Sequence, residues 1–530
     1  MKSLEKYVWP TALVFLMALG VASPAALAQT SLTPSEIRGK QIYVQGTSPS
    51  AKEILAYVGE SSLEIPGASM ACANCHGLDG LGKSEGGINP SDIRSEFLTK
   101  PYGLTHPDGR KHPPYTERGL ELAITRGTDP AGNRLLNVMP RYAMSRDDLT
   151  DLIAYLGRLG KDADPGISES NIVIATAVPS SGPLAEMGQA IRAVTTAFFD
   201  NVNKQGGVFN RHVEVKFVET AETAAGTRAN VERFLADANV FAICGAVIAG
   251  SEKELVSLMA QKEVPLIAPL TIFPQTGFPL NRQVFYLLSG MEGQARALID
   301  FAAGKPELKT LALAIVYSPG EVNATVAEAV KEQCKKNRLS VPPTYSYKTG
   351  SFDAAEAVKQ LKQTGRDGVF FLGNTGEALS FMREAEKLGW FPSIFLPSPG
   401  SAEVLSAPAG FSGKIFLSLP TSPADQTTEG IGEFRALAEK YKLPTKHVAA
   451  QLSAYSAAKI LAEALKRAGK DLSREKLIQA LEGFYEYQTG LTPAITYGPN
   501  RRIGAIGAYV ITVDLKRQQF LPASGWINIK

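Results

Sequence analysis

Several common chemistries have little to work with in this sequence. The 530 residues hold only four cysteines and five histidines. Charge of one sign is also lacking: 55 Lys and Arg stand against 52 Asp and Glu, a formal net charge of +3. No basic run has aromatics interleaved, which argues against nucleic acid as a partner. No G-x-G-x-x-G opens a helix, and no Walker sequence, G-x-S-x-G elbow or H-E-x-x-H is present. Short-period repeats and low-complexity tracts are missing too. Past the first two dozen residues, no stretch is long and apolar enough to span a bilayer. What remains is a chain 44% hydrophobic and 20% charged, the make-up of a globular protein too long for one core.

The N-terminus carries the first positive signal. Lys2 and Lys6 precede an apolar run from Val8 to Ala22, and "SPAALAQT" then offers small residues at Ala26 and Ala28. This is the layout of a secretory signal peptide, with cleavage expected after Ala28. The run is shorter than the roughly 20 residues a membrane anchor needs, and no cysteine at the cleavage site invites a lipid. The expected location is the periplasm.

The cysteines fall into two kinds. Cys72 and Cys75 belong to "ACANCHGLDG", where His76 follows at once. Two thiolates three positions apart can add to both vinyl groups of one haem, with the adjacent imidazole held to ligate the iron. A zinc site would need another Cys or His pair, and the remaining cysteines are remote. A redox dithiol would sit after a strand at a helix N-terminus, and "IPGASMACANCHG" shows no such strand. Cys244, in the apolar run "VFAICGAV", and Cys334, in the helical "VKEQCKKN", read as unpaired buried thiols.

A second axial ligand must come from the same domain, where Met139, Met144, His106 and His112 are the candidates. In "NVMPRYAMSRDDLTDLIAYLGRL", Met139 precedes a proline on a rigid extended segment. That segment leads into a helix capped by Ser145, with Asp148 three residues on. "CANCHG", "RGLELAITRGTDPAGNRLLNVMPRYAMS" and "LIAYLGRLG" together resemble a class I mono-haem cytochrome c over nearly all of residues 36–160. The resemblance implies an all-α domain holding one covalent haem c on Cys72 and Cys75, with His76 and Met139 as axial ligands. It also implies a last helix that crosses the first near a small residue, here Gly39. Thioether ligation raises the haem potential relative to bis-histidine ligation, which suits single-electron exchange with a periplasmic redox partner. No base or nucleophile stands beside an open iron position, so haem catalysis is not expected.

After the polar stretch "GKDADPGISES" the pattern changes. "NIVIATAV", "VEVKFVE", "VFAICGAV" and "PLIAP" read as strands alternating with helices, and a second run follows through "TLALAIVYS", "GVFFLGN" and "SIFLPSP". Such alternation means doubly wound parallel sheets, here in two lobes, with ligands expected beyond the carboxyl ends of the strands. The domains expected are a signal peptide 1–28, a cytochrome domain 31–161, a linker 162–170 and a two-lobed α/β domain 171–530.

From Asn171 onward the chain resembles type I periplasmic solute-binding proteins of the Leu/Ile/Val-binding group. The matching stretches include "IVIATAVPSSGPLAEMGQAIRAV", "VPLIAPLTIFP" and "GVFFLGNTGEALSFMREAEKLGW". The resemblance implies hinge closure of two lobes, joined by three crossing strands, on a small molecule. It places Ser181, Met187, Ser251, Thr271, Asn374 and Ser398 around the ligand. Ala249 falls where the amino-acid binders carry a hydroxyl for the α-carboxylate, and Pro399 where they carry an acid for the α-ammonium. An ammonium left unpaired there would cost several kcal/mol, so an ordinary α-amino acid is not the expected ligand. An uncharged, aromatic or anionic small molecule is.

Together these readings imply an exported electron carrier, not itself an enzyme. Its small-molecule module either recruits a substrate to a periplasmic dehydrogenase or tunes docking with the redox partner. The alternative is a solute receptor for an ABC permease with a tethered cytochrome.

Overall fold

The structure is a computed structural model that describes residues 32–82, 87–106, 109–160, 164–397 and 402–529. The candidate signal peptide, Ser398 and Pro399 lie outside the described residues. The chain divides into two compact units, residues 1–162 and 163–530.

In the first unit, local signals set the helix ends. The helix Pro34–Gln45 starts from Thr33, whose side chain forms a capping box with Glu36, and ends at Gly46 in the left-handed conformation. The helix Arg146–Leu156 starts at Ser145, whose hydroxyl accepts from the Asp148 amide at 3.2 Å. These two helices cross at Gly39. A Cβ there would lie 1.9 Å from the Asp151 carbonyl oxygen, so only glycine permits the approach. Arg38 fixes the crossing by pairing with Asp151 at 2.6 Å. Ile42, Tyr43, Ile124, Leu152, Tyr155 and Leu156 are buried in the core beneath it.

The helical domain also carries a small antiparallel sheet. Leu55–Val58 is its central strand, flanked by Leu63–Pro66 and Arg141–Ala143. Segments this short show no resolvable alternation, so the sequence pattern does not reveal them. The register pairs Tyr57 with Arg141 and Ala56 with Tyr142, which anchors the chain immediately after Met139.

The second unit has two lobes. The first contains six parallel strands in the order Ile503–Ala505, Val284–Leu288, Leu266–Ile267, Ala242–Cys244, Asn171–Val178 and His212–Glu219. The second places Thr344–Ser346, Leu313–Tyr317, Gly368–Leu372, Ser393–Leu396 and Ile415–Leu419 in parallel. It then adds Gly507–Asp514 and Gln519–Pro522 antiparallel, so this sheet is mixed rather than wholly parallel. The antiparallel edge arises because the last passage between lobes runs directly from Ile503–Ala505 into Gly507–Asp514, leaving no room for a crossover helix. The chain passes between lobes there, after Leu288 and after Leu419. Ser289 ties two of these passages together by donating to the Gly507 carbonyl at 3.2 Å.

Residues 164–170, read above as a linker, are held against the first lobe. Ile167 is buried in its core, Asp164 accepts from the Arg474 amide at 2.5 Å, and the Gly166 carbonyl accepts from Val173 at 2.7 Å. Cys244 and Cys334 are free and buried, one in the core of each lobe. Burial pushes the Cys334 thiol up to about 12.

Candidate functional sites: an apolar pocket and a cleft

Cys72 and Cys75 occupy the single helical turn Cys72–His76 and share a face at i, i+3 spacing. Both line a cavity of about 450 Å³, together with His76 and Met139. Leu98, Leu120, Ile124, Leu152 and Leu156 give most of its wall an aliphatic surface, and no carboxylate among the described residues lines it. The His76 ring is oriented from behind: its Nδ1 donates to the Ser91 carbonyl at 3.1 Å, which leaves Nε2 as the lone-pair nitrogen. Loss of solvation holds the His76 imidazole below its usual pKa, favouring the neutral ring a metal requires. Burial pushes the Cys72 thiol up to about 11. An apolar cavity with two thiols, one oriented imidazole and one thioether fits a covalently attached haem.

The Met139 side of the cavity is fastened by a residue that the motif search passed over. Arg141 donates to the carbonyl of Met139 and, at 2.8 Å, to that of Leu135. Its guanidinium lies across Gly127, where a Cβ would sit 1.7 Å from the Arg141 Nε. Gly127 is also the left-handed cap of the helix Glu117–Arg126, so the Met139 loop is clamped onto a helix end. Tyr142 closes the neighbouring wall by donating to the Met70 carbonyl at 2.5 Å, and Tyr43 donates to Gly77 at 2.7 Å.

The other ligand candidates are placed differently. Met144 packs at the edge of the hydrophobic core and does not line the cavity. His106 and His112 do line it, but they face each other with their Nε2 atoms 2.9 Å apart. His112 is buried and turns its Nδ1 to the Pro113 carbonyl at 2.8 Å. Among the described residues, no cluster of three or more His, Cys, Asp or Glu side chains could hold a metal ion by itself.

The loops at the carboxyl ends of the first lobe's strands carry most of the expected small-molecule contacts. Ser181 is exposed, and Met187 is half-buried in a cluster with Val178, Val247 and Phe434. Ser251 is buried at the start of the helix Glu252–Lys262 and makes no side-chain cap bond. Thr271 donates to Glu252 Oε1 at 2.6 Å and accepts from the Phe273 amide at 2.9 Å. In the second lobe, Asn374 is exposed, and its side-chain oxygen caps the helix Thr375–Lys387 by accepting from Glu377 at 2.9 Å. Lys253 joins the lobes by pairing with Glu321 at the start of the helix Glu321–Lys336.

Two family models match the chain: cytochrome c over residues 68–160 and periplasmic binding protein over residues 171–518. The leucine-, isoleucine-, valine-, threonine- and alanine-binding protein of Pseudomonas aeruginosa is 23% identical over 62% of this chain and 87% of its own length. The Leu/Ile/Val-binding protein homolog 3 of Brucella melitensis is 22% identical over 61% of this chain and 86% of its own. Among solved structures, a branched-chain amino acid ABC transporter from Thermus thermophilus with bound valine superposes with a TM-score of 0.56 at 18% identity. It covers 68% of this chain and 98% of that one. A fatty acid ABC transporter substrate-binding protein from Thermomonospora curvata gives 0.53 at 19% identity, covering 70% of this chain and 95% of that one. A cytochrome c domain carries covalently bound haem c, and the binding-protein family is periplasmic by its description. The chain belongs to the periplasmic binding protein family and carries a cytochrome c domain ahead of that module.

Proposed function

We propose that this protein is a periplasmic electron carrier whose binding module lets a small molecule decide where or when electrons pass. Cys72 and Cys75 would hold one haem c covalently, and His76 and Met139 would supply its iron ligands. A haem so held would supply one-electron chemistry. His76 is oriented by Ser91, Arg141 keeps the Met139 loop in place, and the aliphatic wall excludes water. The observation that carries this reading is the joint presence of Cys72, Cys75, His76 and Met139 on one apolar cavity. A leader removed after Ala28 and domains at 31–161 and 171–530 complete the proposal.

The cleft of the binding module takes a small molecule other than an ordinary α-amino acid. Ser181, Met187, Ser251, Thr271, Asn374 and Ser398 are its candidate contacts. That molecule is the substrate of a periplasmic dehydrogenase that passes electrons to the haem, or a signal that tunes docking with the redox partner. A second reading, a receptor delivering solute to an ABC permease, is favoured by one observation: the sequence relatives are solute-binding proteins.

Potentiometric titration of the haem-loaded protein, with and without candidate solutes, separates the two. Coupled function predicts a midpoint shift of about 59 mV for each tenfold difference in solute affinity between oxidised and reduced protein. Tight binding with an unmoved midpoint would favour the receptor.

A further inference from the structure

The start of the helix Glu252–Lys262 gives the cleft a chemical polarity that the motif comparison alone does not reveal. Ser251, 6% exposed, precedes this 11-residue helix yet makes no side-chain bond to it. Glu252, 9% exposed, occupies the first helical position, where its charge is favoured by the backbone N–H groups. Its carboxylate accepts from the neutral hydroxyl of Thr271 at 2.6 Å, and among the described residues no cation pairs with it. The adjacent cation, Lys253, is engaged with Glu321 of the second lobe. Val247 bridges to Leu270 in parallel register, placing these groups together beyond the carboxyl edge of the first lobe's sheet.

We propose that Glu252 sets the ligand class of the cleft: a small molecule presenting a hydrogen-bond donor, hydroxyl or amine, rather than a carboxylate. This rests on reading the cleft as a small-molecule site, and it removes anions from the ligands otherwise expected there. A carboxylate brought against the buried Glu252 meets a like charge, and the neighbouring Lys253 pairs with Glu321. A donor finds a carboxylate oxygen able to accept. The helix N-terminus, otherwise favourable to an anion, already carries an acidic residue at its first position.

The test uses the full-length, haem-loaded protein in calorimetric titrations with matched probes: butan-1-ol, butylamine and butyrate, then benzyl alcohol, benzylamine and benzoate. The alcohol or amine of a set should bind at least about tenfold more tightly than its carboxylate. Glu252→Gln, which retains an acceptor for Thr271, should shrink that ratio about tenfold. Loss of amine binding in the variant identifies an ammonium ligand, and retained alcohol binding a neutral one. If Glu252→Gln does not fold, the ratio of alcohol or amine to carboxylate affinity in the wild-type protein carries the test alone. A carboxylate that binds wild type as well as its alcohol and amine overturns the assignment of Glu252, as does a ratio unchanged in Glu252→Gln. Absence of binding by all six probes overturns the reading of the cleft itself, and this inference with it.

Discussion

The apolar pocket of the first unit and the cleft of the second expose their chemistry in opposite ways. In the pocket, the reactive side chains point inward and other residues orient them: Ser91 holds His76, and Arg141 holds the Met139 loop. In the second unit, two of the polar groups that resemble ligand contacts are committed to the fold, while Ser181 and Ser251 make no side-chain cap bond. Asn374 caps a helix, and Thr271 serves Glu252 and the Phe273 amide. A covalent cofactor allows its site to be built from one contiguous turn plus one distant loop. The ligand contacts expected in the second unit come from segments of both lobes, each of which must first satisfy its own backbone.

The largest test of this contrast falls on the pocket. Met139→Leu removes the thioether and should lower the haem midpoint on the order of 0.1 V. Met144→Leu should leave it in place, since Met144 lies off the cavity. Equal shifts in a potentiometric titration would break the assignment of Met139. Arg141→Gln comes next. Losing the bonds to the Met139 and Leu135 carbonyls should cost the first unit about 1–3 kcal/mol in denaturant unfolding. It should also reduce the thioether-ligated fraction seen in the ferric spectrum. A stability loss with an unaltered spectrum would make Arg141 purely structural.

The smallest effect sharpens the other side. Asn374→Ala should cost the second unit about 1 kcal/mol through the lost cap and, since Asn374 is a candidate contact, weaken solute binding as well. A fall in unfolding temperature with an unchanged affinity would leave Asn374 as a helix cap alone.

Much of the architecture was legible in local pattern. The strand read at "NIVIATAV" spans Asn171–Val178, and the long helix after it covers Ala185–Lys204. Both are long enough for burial and amphipathic spacing to dominate. The strands Leu55–Val58 and Leu63–Pro66 were not legible, since four residues establish no period. The antiparallel edge of the second lobe was hidden for another reason: strand direction depends on how the chain passes between lobes, not on composition.

By itself the sequence determined the groups whose relation is local. Cys72, Cys75 and His76 converge because three and four residues make one helical turn, and Ser145 caps its helix because Asp148 follows at the third position. The crossing at Gly39 was likewise foreseeable, from the family resemblance. Only the tertiary structure decided the rest. Ser91 became the partner of His76, Arg141 came to lie across Gly127, and Thr271 was spent on Glu252. Each of these relations joins residues further apart than a helical turn, on separate segments that meet in the packed core. No spacing along the chain records which donor will then lie within 3 Å of which acceptor.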